Sequence, residues 1–310
     1  MVEYIWSRLL TVIPVLLLIS VFVFSLMHLL PGDAAMLVLQ GESASTPEQV
    51  AQLRQEMGLD DPIYVQYARF LAGAVRGDLG RSIHFRRPVM AVILERLPST
   101  VELTCAAMAI AVVIGISLGS IAAIRQNSWI DNLGMILSIT GLTMPIFYIG
   151  LLLIFVFSVK LGWLPITAGT SWQRLVLPAL TLGFACSGII ARLVRANLLE
   201  ALRQDYITTA RAKGLAEQVI LYRHAMKNML IPVVTIVGIQ VGALLSGSVI
   251  TETVFSRSGV GRLAVEAILW KDFTLAQGTI LFTATVYLLI NLLVDISYVA
   301  LDPRIRYKGQ

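Results

Sequence analysis

The residues able to do chemistry are few and scattered. His28, His84 and His224 fall in three separate regions of the chain, so they cannot form a three-ligand metal site. Cys105 and Cys186 lie inside apolar runs without CxxC spacing, which makes them small buried hydrophobes rather than a redox pair or zinc site. No GxxxxGK[ST] loop occurs, so the chain has no site of its own for ATP-driven work; Gly259-Val260-Gly261 reads as an outer turn that shapes an external gate. Polar chemistry concentrates instead at 205–227, DYITTARAKGLAEQVILYRHAMK, followed by NMLIP at 228–232. This charged island separates two apolar stretches and has the parts of a structured element: a helix-like run, a stop at Gly214, a basic second half and a proline opening the next apolar run.

The elements that carry this island are set by composition. With 57% hydrophobic residues, 14% charged residues and a mean hydropathy of +0.79, the 310-residue chain has more apolar surface than one water-soluble core can hide. Lipid must be the solvent for most of it. The net charge of +5 is not gathered with aromatic stacking groups, so nucleic acid is excluded as a partner. Six runs, 9–30, 99–124, 133–159, 175–198, 229–250 and 277–300, reach the ~20 residues needed to cross a bilayer. They lack strand alternation, so the fold class is all-α: a polytopic membrane protein of six helices. The first run exceeds a signal-peptide core and precedes no cleavage site, and reads as an uncleaved anchor, residues 1–30.

Lys and Arg set the orientation. With the N-terminus inside, the short cytoplasmic segments hold twelve: Arg8, Arg125, Arg192, Arg195, Arg203, Arg211, Lys213, Arg223, Lys227, Arg304, Arg306 and Lys308. The short outer connections hold five, Lys160, Arg174, Arg257, Arg262 and Lys271, several beside Glu252, Glu266 or Asp272. Both termini are therefore expected in the cytoplasm. The organisation that follows is an outer segment at 31–98 with short helices, a five-helix core at 99–300 containing a cytoplasmic loop at 199–228, and a tail at 301–310. Within the outer segment, Thr46-Pro47 opens a helix stopped at Gly58; a second follows Pro62, is amphipathic through Gln66, Tyr67, Phe70, Leu71 and Val75, and breaks at Gly77 and Gly80.

On these residues the chain resembles the transmembrane subunits of bacterial ATP-binding-cassette (ABC) importers, in the group handling dipeptides, oligopeptides, glutathione and nickel complexes. The resemblance spans essentially the whole length. It is most specific at Asp205-Tyr206, Thr209-Ala210-Arg211-Ala212-Lys213-Gly214-Leu215, His224-Ala225, Asn228 and Ile231-Pro232. Leu30-Pro31-Gly32-Asp33, Gly58-Leu59-Asp60, Gly77-Asp78-Leu79-Gly80, Gly259-Val260-Gly261-Arg262 and Asp302-Pro303-Arg304-Ile305-Arg306 are similar to the first permease of such a pair. Where the wider signature begins Glu-Ala-Ala, this chain has Thr208-Thr209-Ala210, as is common in the peptide group, so no acidic anchor stands at Thr208.

The resemblance implies a type I importer permease in the bacterial inner membrane that performs no covalent step. Implied partners are a second homologous permease, two ATPase subunits that bind ATP and Mg, and an extracytoplasmic solute-binding protein, besides membrane lipid; the chain itself holds no cofactor. The coupling residues it implies are Asp205, Tyr206, Thr209, Ala210, Arg211, Ala212, Lys213, Gly214 and His224. Their types suit docking. Leu198, Leu202, Tyr206 and Ala210 recur every fourth residue as an insertable face, Gly214 ends the helix, and Arg211 and Lys213 complement its dipole. On periodicity alone, an amphipathic helix lying among lipid headgroups reads equally well.

Within the spans, Gly115 and Gly119, and Gly238 and Gly242, are spaced for close helix packing, and Pro145 and Pro178 for bends. Ionisable residues are few, with Glu102 near an outer end and Asp295 near an inner one; Asp295 with Asn291 reads as an interhelical polar contact. That sparseness weighs against an ion-coupled secondary transporter, and the lack of convergent acids or histidines against a membrane-embedded enzyme.

Overall fold

The computed structural model describes residues 2–29, 47–56, 60–166 and 170–301. Motif residues 30–33, 58–59 and 302–306 lie outside them, as do the basic tail residues Arg304, Arg306 and Lys308, and the side chains of Arg8, His28, Asn228 and Ile231. Thirteen α-helices follow in order among the described residues. They are α1 (Val2–Leu29), α2 (Pro47–Glu56), α3 (Ile63–Val75), α4 (Val89–Ile124), α5 (Trp129–Thr143), α6 (Ile146–Leu153), α7 (Ser171–Leu202), α8 (Asp205–Ala212), α9 (Glu217–Val219), α10 (Met226–Gly247), α11 (Val249–Val254), α12 (Val260–Leu269) and α13 (Phe273–Leu301). Two π-helical stretches, Ile154–Lys160 and Ile220–Ala225, prolong α6 and join α9 to α10.

All six apolar runs are helical, but they differ from simple rods. Among the described residues, three helices are long and apolar enough to cross a membrane outright: Val89–Ile124, Ser171–Leu202 and Phe273–Ile296. The run at 133–159, expected as one helix, is two, α5 and α6 with its π extension, meeting at 108° and making a fourth, broken span. The cause is local. Met144, ahead of Pro145, takes an extended conformation (φ −70°, ψ 136°), because the proline ring disfavours helical geometry in its predecessor. Pro178 lies within α7 without interrupting it. α1 and α10 carry shorter apolar cores, Leu10–Ser25 and Pro232–Ser246. α10 has 22 residues, and at ~1.5 Å each that is long enough for hydrocarbon. It ends at Ser248, short of the expected limit at Ile250, where α11 turns away.

α4 begins at Val89 rather than Ser99 and runs through Pro98. Its early turns are apolar for a reason: Val89, Val92 and Ile93 pack with Leu79, Leu263 and Leu275 into an outer core. A larger core joins the membrane centre to the cytoplasmic side through Leu103, Ala107, Leu182, Ile190, Val194, Leu198, Ile207, Ile220 and Met229.

Glycines let the central helices close up. A methyl group on Gly115 would come within 2.7 Å of the Ile190 side chain, and one on Gly119 would fall on the carbonyl oxygen of Ala191, so α4 and α7 touch backbone to backbone. Gly238 and Gly242 likewise face Val294 and Ile290 of α13. Asn291 sits beside Gly242 with its carbonyl oxygen buried and unpartnered among the described residues.

Two helices are described in the outer segment. α2 starts at Pro47, and α3 follows Pro62 and ends before Gly77 and Gly80, both in the left-handed region (φ +79° and +82°). Tyr67 and Phe70 of α3 pack on Phe24 of α1, with ring centroids 5.4 and 6.0 Å apart, and Ser20 bonds the Tyr67 hydroxyl at 2.8 Å. A small loop closed by the Arg81–Pro88 bridge docks on the end of α12: His84 stacks on Trp270 at 3.9 Å, and buried Asp272 accepts from Ser82 Oγ, His84 N and Leu275 N. His84 is thus on the outer side and His224 on the inner, far from any common metal site.

Candidate functional site

The cytoplasmic element is built from the end of α7. That helix stops at Leu202, and Arg203 and Gln204 turn the chain before α8 starts at Asp205. The break shifts the register, so the expected face of Leu198, Leu202, Tyr206 and Ala210 is not one face. Tyr206 is exposed, and the buried residues of α8 are Ile207 and Ala210. Both point inward, onto the core that holds Leu198, Ile220 and Ala225. Burying a side chain like Ile207 stabilises by about 1.5–3 kcal/mol, which fixes α8 against the membrane helices. The apolar side of α8 is therefore spent on the protein itself, which removes the reason for it to lie among headgroups.

Both ends of α8 are finished locally. Asp205 puts a carboxylate in the first turn, where the helix dipole favours it, and Thr209 Oγ1 donates to the Asp205 carbonyl at 3.0 Å. At the other end Gly214 has φ +75°, its N–H donates to Arg211 O at 2.9 Å, and Leu215 N–H donates to Ala210 O at 3.3 Å. That pair of bonds is the Schellman arrangement, and it needs a left-handed residue where Gly214 stands. Arg211 grips Glu217 within the chain at 2.7 Å and ties α8 to α9. This hydrogen-bonded pairing holds the Glu217 carboxyl below its usual range and raises Arg211. Its small contribution is present near neutral pH and is lost as the pH falls through the depressed Glu217 value.

The outward surface of the element carries Asp205, Tyr206, Thr208, Thr209, Ala212, Lys213 and Leu215, continued by Val219 and Tyr222. Tyr206, Leu215, Val219 and Tyr222 thus put exposed aromatic and aliphatic side chains on a charged surface. His224 is half-buried on the π-helical stretch Ile220–Ala225, an irregularity often found at working parts of helices.

Sequence reading missed two buried charges. Arg195, counted only toward orientation, lies on α7 and grips Asp131 of α5 through two bonds of 2.6 and 2.7 Å; Asp131 also accepts from Asn127 N at 2.9 Å. An arginine inside an apolar run was the available signal that a partner was required. On the outer side Glu252 is fully buried. Its carboxylate accepts from Thr100 Oγ1 at 2.7 Å, Ser248 Oγ at 3.2 Å and Arg262 N at 2.9 Å, capping the first turn of α12. Gly259, expected as part of an outer turn, is the residue just before that helix, and a methyl group there would fall on the Glu252 carboxyl. Gly259→Ala should therefore displace Glu252 and lower the melting temperature of the purified protein by several degrees, through overpacking worth about 1–3 kcal/mol. An unchanged melting curve would mean the turn relaxes freely.

Residues 115–307 match the family described as binding-protein-dependent transport system inner membrane component, and residues 1–104 match its N-terminal counterpart. The chain belongs to this family. Over 309 residues, 99% of this chain and 100% of the relative, it is 45% identical to the glutathione transport system permease protein GsiC of Escherichia coli K12. The permeases of the same name from Salmonella paratyphi A and Salmonella typhimurium LT2 are 44% and 43% identical over 308 residues, again 99% of this chain and 100% of theirs. In fold it is similar to inward-facing structures of the MetNI methionine ABC transporter, with a TM-score of 0.57 at 19% identity over 69% of this chain and 97% of that one. The fold is that of a type I importer permease, and the chain is a multi-pass inner-membrane permease subunit of an ABC importer.

Proposed function

We propose that this permease passes a small peptide, with glutathione the leading candidate, across the bacterial inner membrane as one of two related permeases. The observation that carries the solute assignment is the end-to-end likeness, at 45% identity, to a permease named for glutathione. ATP and Mg are bound by two separate ATPase subunits, and an extracytoplasmic binding protein delivers the solute. The coupling element is α8 and its flanks: Asp205, Tyr206, Thr209, Ala210, Arg211, Ala212, Lys213, Gly214 and His224. Support for that role is mechanical. α8 is closed at both ends, fixed to the membrane core by Ile207 and Ala210, and exposes Tyr206, Leu215 and Tyr222 toward the cytoplasm. When nucleotide binding draws the ATPases together, a helix so fixed carries the motion into α7 and α10 and shifts the population between outward-facing and inward-facing states.

The test is purification of the intact complex in mild detergent from membranes, with mass spectrometry and an ATPase assay. Recovery of two ATPases and a second permease, with hydrolysis stimulated by glutathione plus binding protein, is the expected result. This chain recovered alone, with no ATPase in crosslinked membranes, would overturn it.

A further inference from the structure

On the outer face, a cavity of about 760 Å³ opens between α4, the start of α7 and the turn after α11. Its size is that of a small-molecule site rather than a crevice. The walls are charged in an uneven way. The side chains of Arg96 and Arg174 line it with no ion pair or hydrogen bond among the described residues, whereas both glutamates in the lining are taken: Glu95 by Arg87 at 3.0 Å and Glu102 by Arg257 at 2.9 Å.

Arg257 is the fixed part of the wall. Its side chain is only 9% exposed, and Nη2 donates to Ser99 O, Ser99 Oγ and Glu102. The turn that presents it is locked, with Ser256 in the left-handed region (φ +53°) and Arg257 N bonded to the carbonyl of Glu252 at 2.8 Å. A non-glycine residue held at positive φ beside a charged cavity is conformational strain at a place where geometry matters. Phe255, buried beneath, closes the floor.

We propose that this cavity is a receiving site for the incoming solute, which Arg96 and Arg174 hold by two carboxylates before it enters the membrane path. The inference rests on the peptide or glutathione reading above and adds to it a location and a chemistry. Two uncommitted guanidiniums facing one cavity call for two anionic groups, and charge-assisted, two-pronged bonds to carboxylates are what guanidinium does best. A peptide carrying a second carboxylate supplies both.

The experiment uses the complete transporter in vesicles at saturating binding protein, with labelled glutathione and its monoethyl ester at the glycine carboxyl. Wild type, Arg96→Gln and Arg174→Gln are compared by kcat/KM for uptake of each solute. The variant that removes the arginine holding the glycine carboxylate should lose about tenfold for glutathione and less than twofold for the ester, so that preference between them collapses, while the other variant should lose about tenfold for both. Equal loss for both solutes in both variants, or a rise in the half-saturating concentration of binding protein alike for both, would make these arginines a docking or lipid-headgroup contact and overturn the proposal. So would no loss at all. If the wild type carries a dipeptide rather than glutathione, the same comparison uses a dipeptide with an acidic side chain and its C-terminal amide. A wild-type complex that carries no peptide would instead overturn the transport reading itself, and the receiving site with it.

Discussion

Arg195→Ala should be the most destabilising single change on the cytoplasmic side, and more damaging than Asp131→Ala. The two partners are unequally hidden, Asp131 with 3% of its side chain exposed and Arg195 with 26%. Removing the arginine leaves a carboxylate shut away with one backbone donor, Asn127 N, while removing the aspartate leaves a guanidinium that reaches solvent. Breaking a buried pair from one side costs about 3–5 kcal/mol; the arginine deletion should fall in that range and the aspartate deletion below it. The double variant, Asp131→Asn with Arg195→Gln, should recover much of the loss because no charge is stranded. Melting of the purified protein in detergent reads all three. Equal effects of the two single changes would mean the pair is solvated in the membrane-embedded protein.

The same pair has a mechanical consequence. It pins the first turn of α5 to α7 two turns before α7 ends, next to the point where α8 begins. The start of the broken span α5–α6 is therefore tied to the end of α7 through Arg195 as well as through helix packing.

What could be read in the chain depended on whether the cause was local. Gly214 as a helix end, Pro47 as a helix start and the breaks at Gly77 and Gly80 were legible because backbone preference alone decides them. The apolar runs were legible because lipid tolerates nothing else, and the spacings Gly115/Gly119 and Gly238/Gly242 because close helix contact needs absent side chains. The face of α8 was misread because its register depends on a break at Arg203-Gln204 that no glycine or proline announces. Pro145 announced a bend but not its 108°, which is set by two consecutive extended residues and by what α6 packs against. Asp131 with Arg195, and Glu252 with Thr100, are 64 and 152 positions apart, and only the folded chain brings them together. The charged outer cavity was hidden for the same reason, since Arg96, Arg174 and Arg257 come from three separate elements.

Gly214→Val should leave the protein inserted and assembled yet cut solute uptake at least about tenfold, while the partner ATPases continue to hydrolyse without stimulation. Space is not the obstacle, because nothing lies within 4 Å of where a side chain would start. The obstacle is the backbone: at φ +75° a β-branched residue is strained by roughly 1–3 kcal/mol. Relaxing that strain means giving up the bonds from Gly214 to Arg211 and from Leu215 to Ala210, so the last turn of α8 frays and the segment carrying Leu215 and Glu217 swings away. The spans and the Ile207 anchor are untouched, which is why assembly should survive. Gly214→Asn tests the cause, since asparagine tolerates the left-handed region better than any β-branched residue and should keep most of the uptake. Uptake by the valine variant equal to wild type, at matched expression, would remove α8 from the coupling path. Equal loss in the valine and asparagine variants would point to a direct contact at Gly214 with the ATPase rather than to the shape of the helix end.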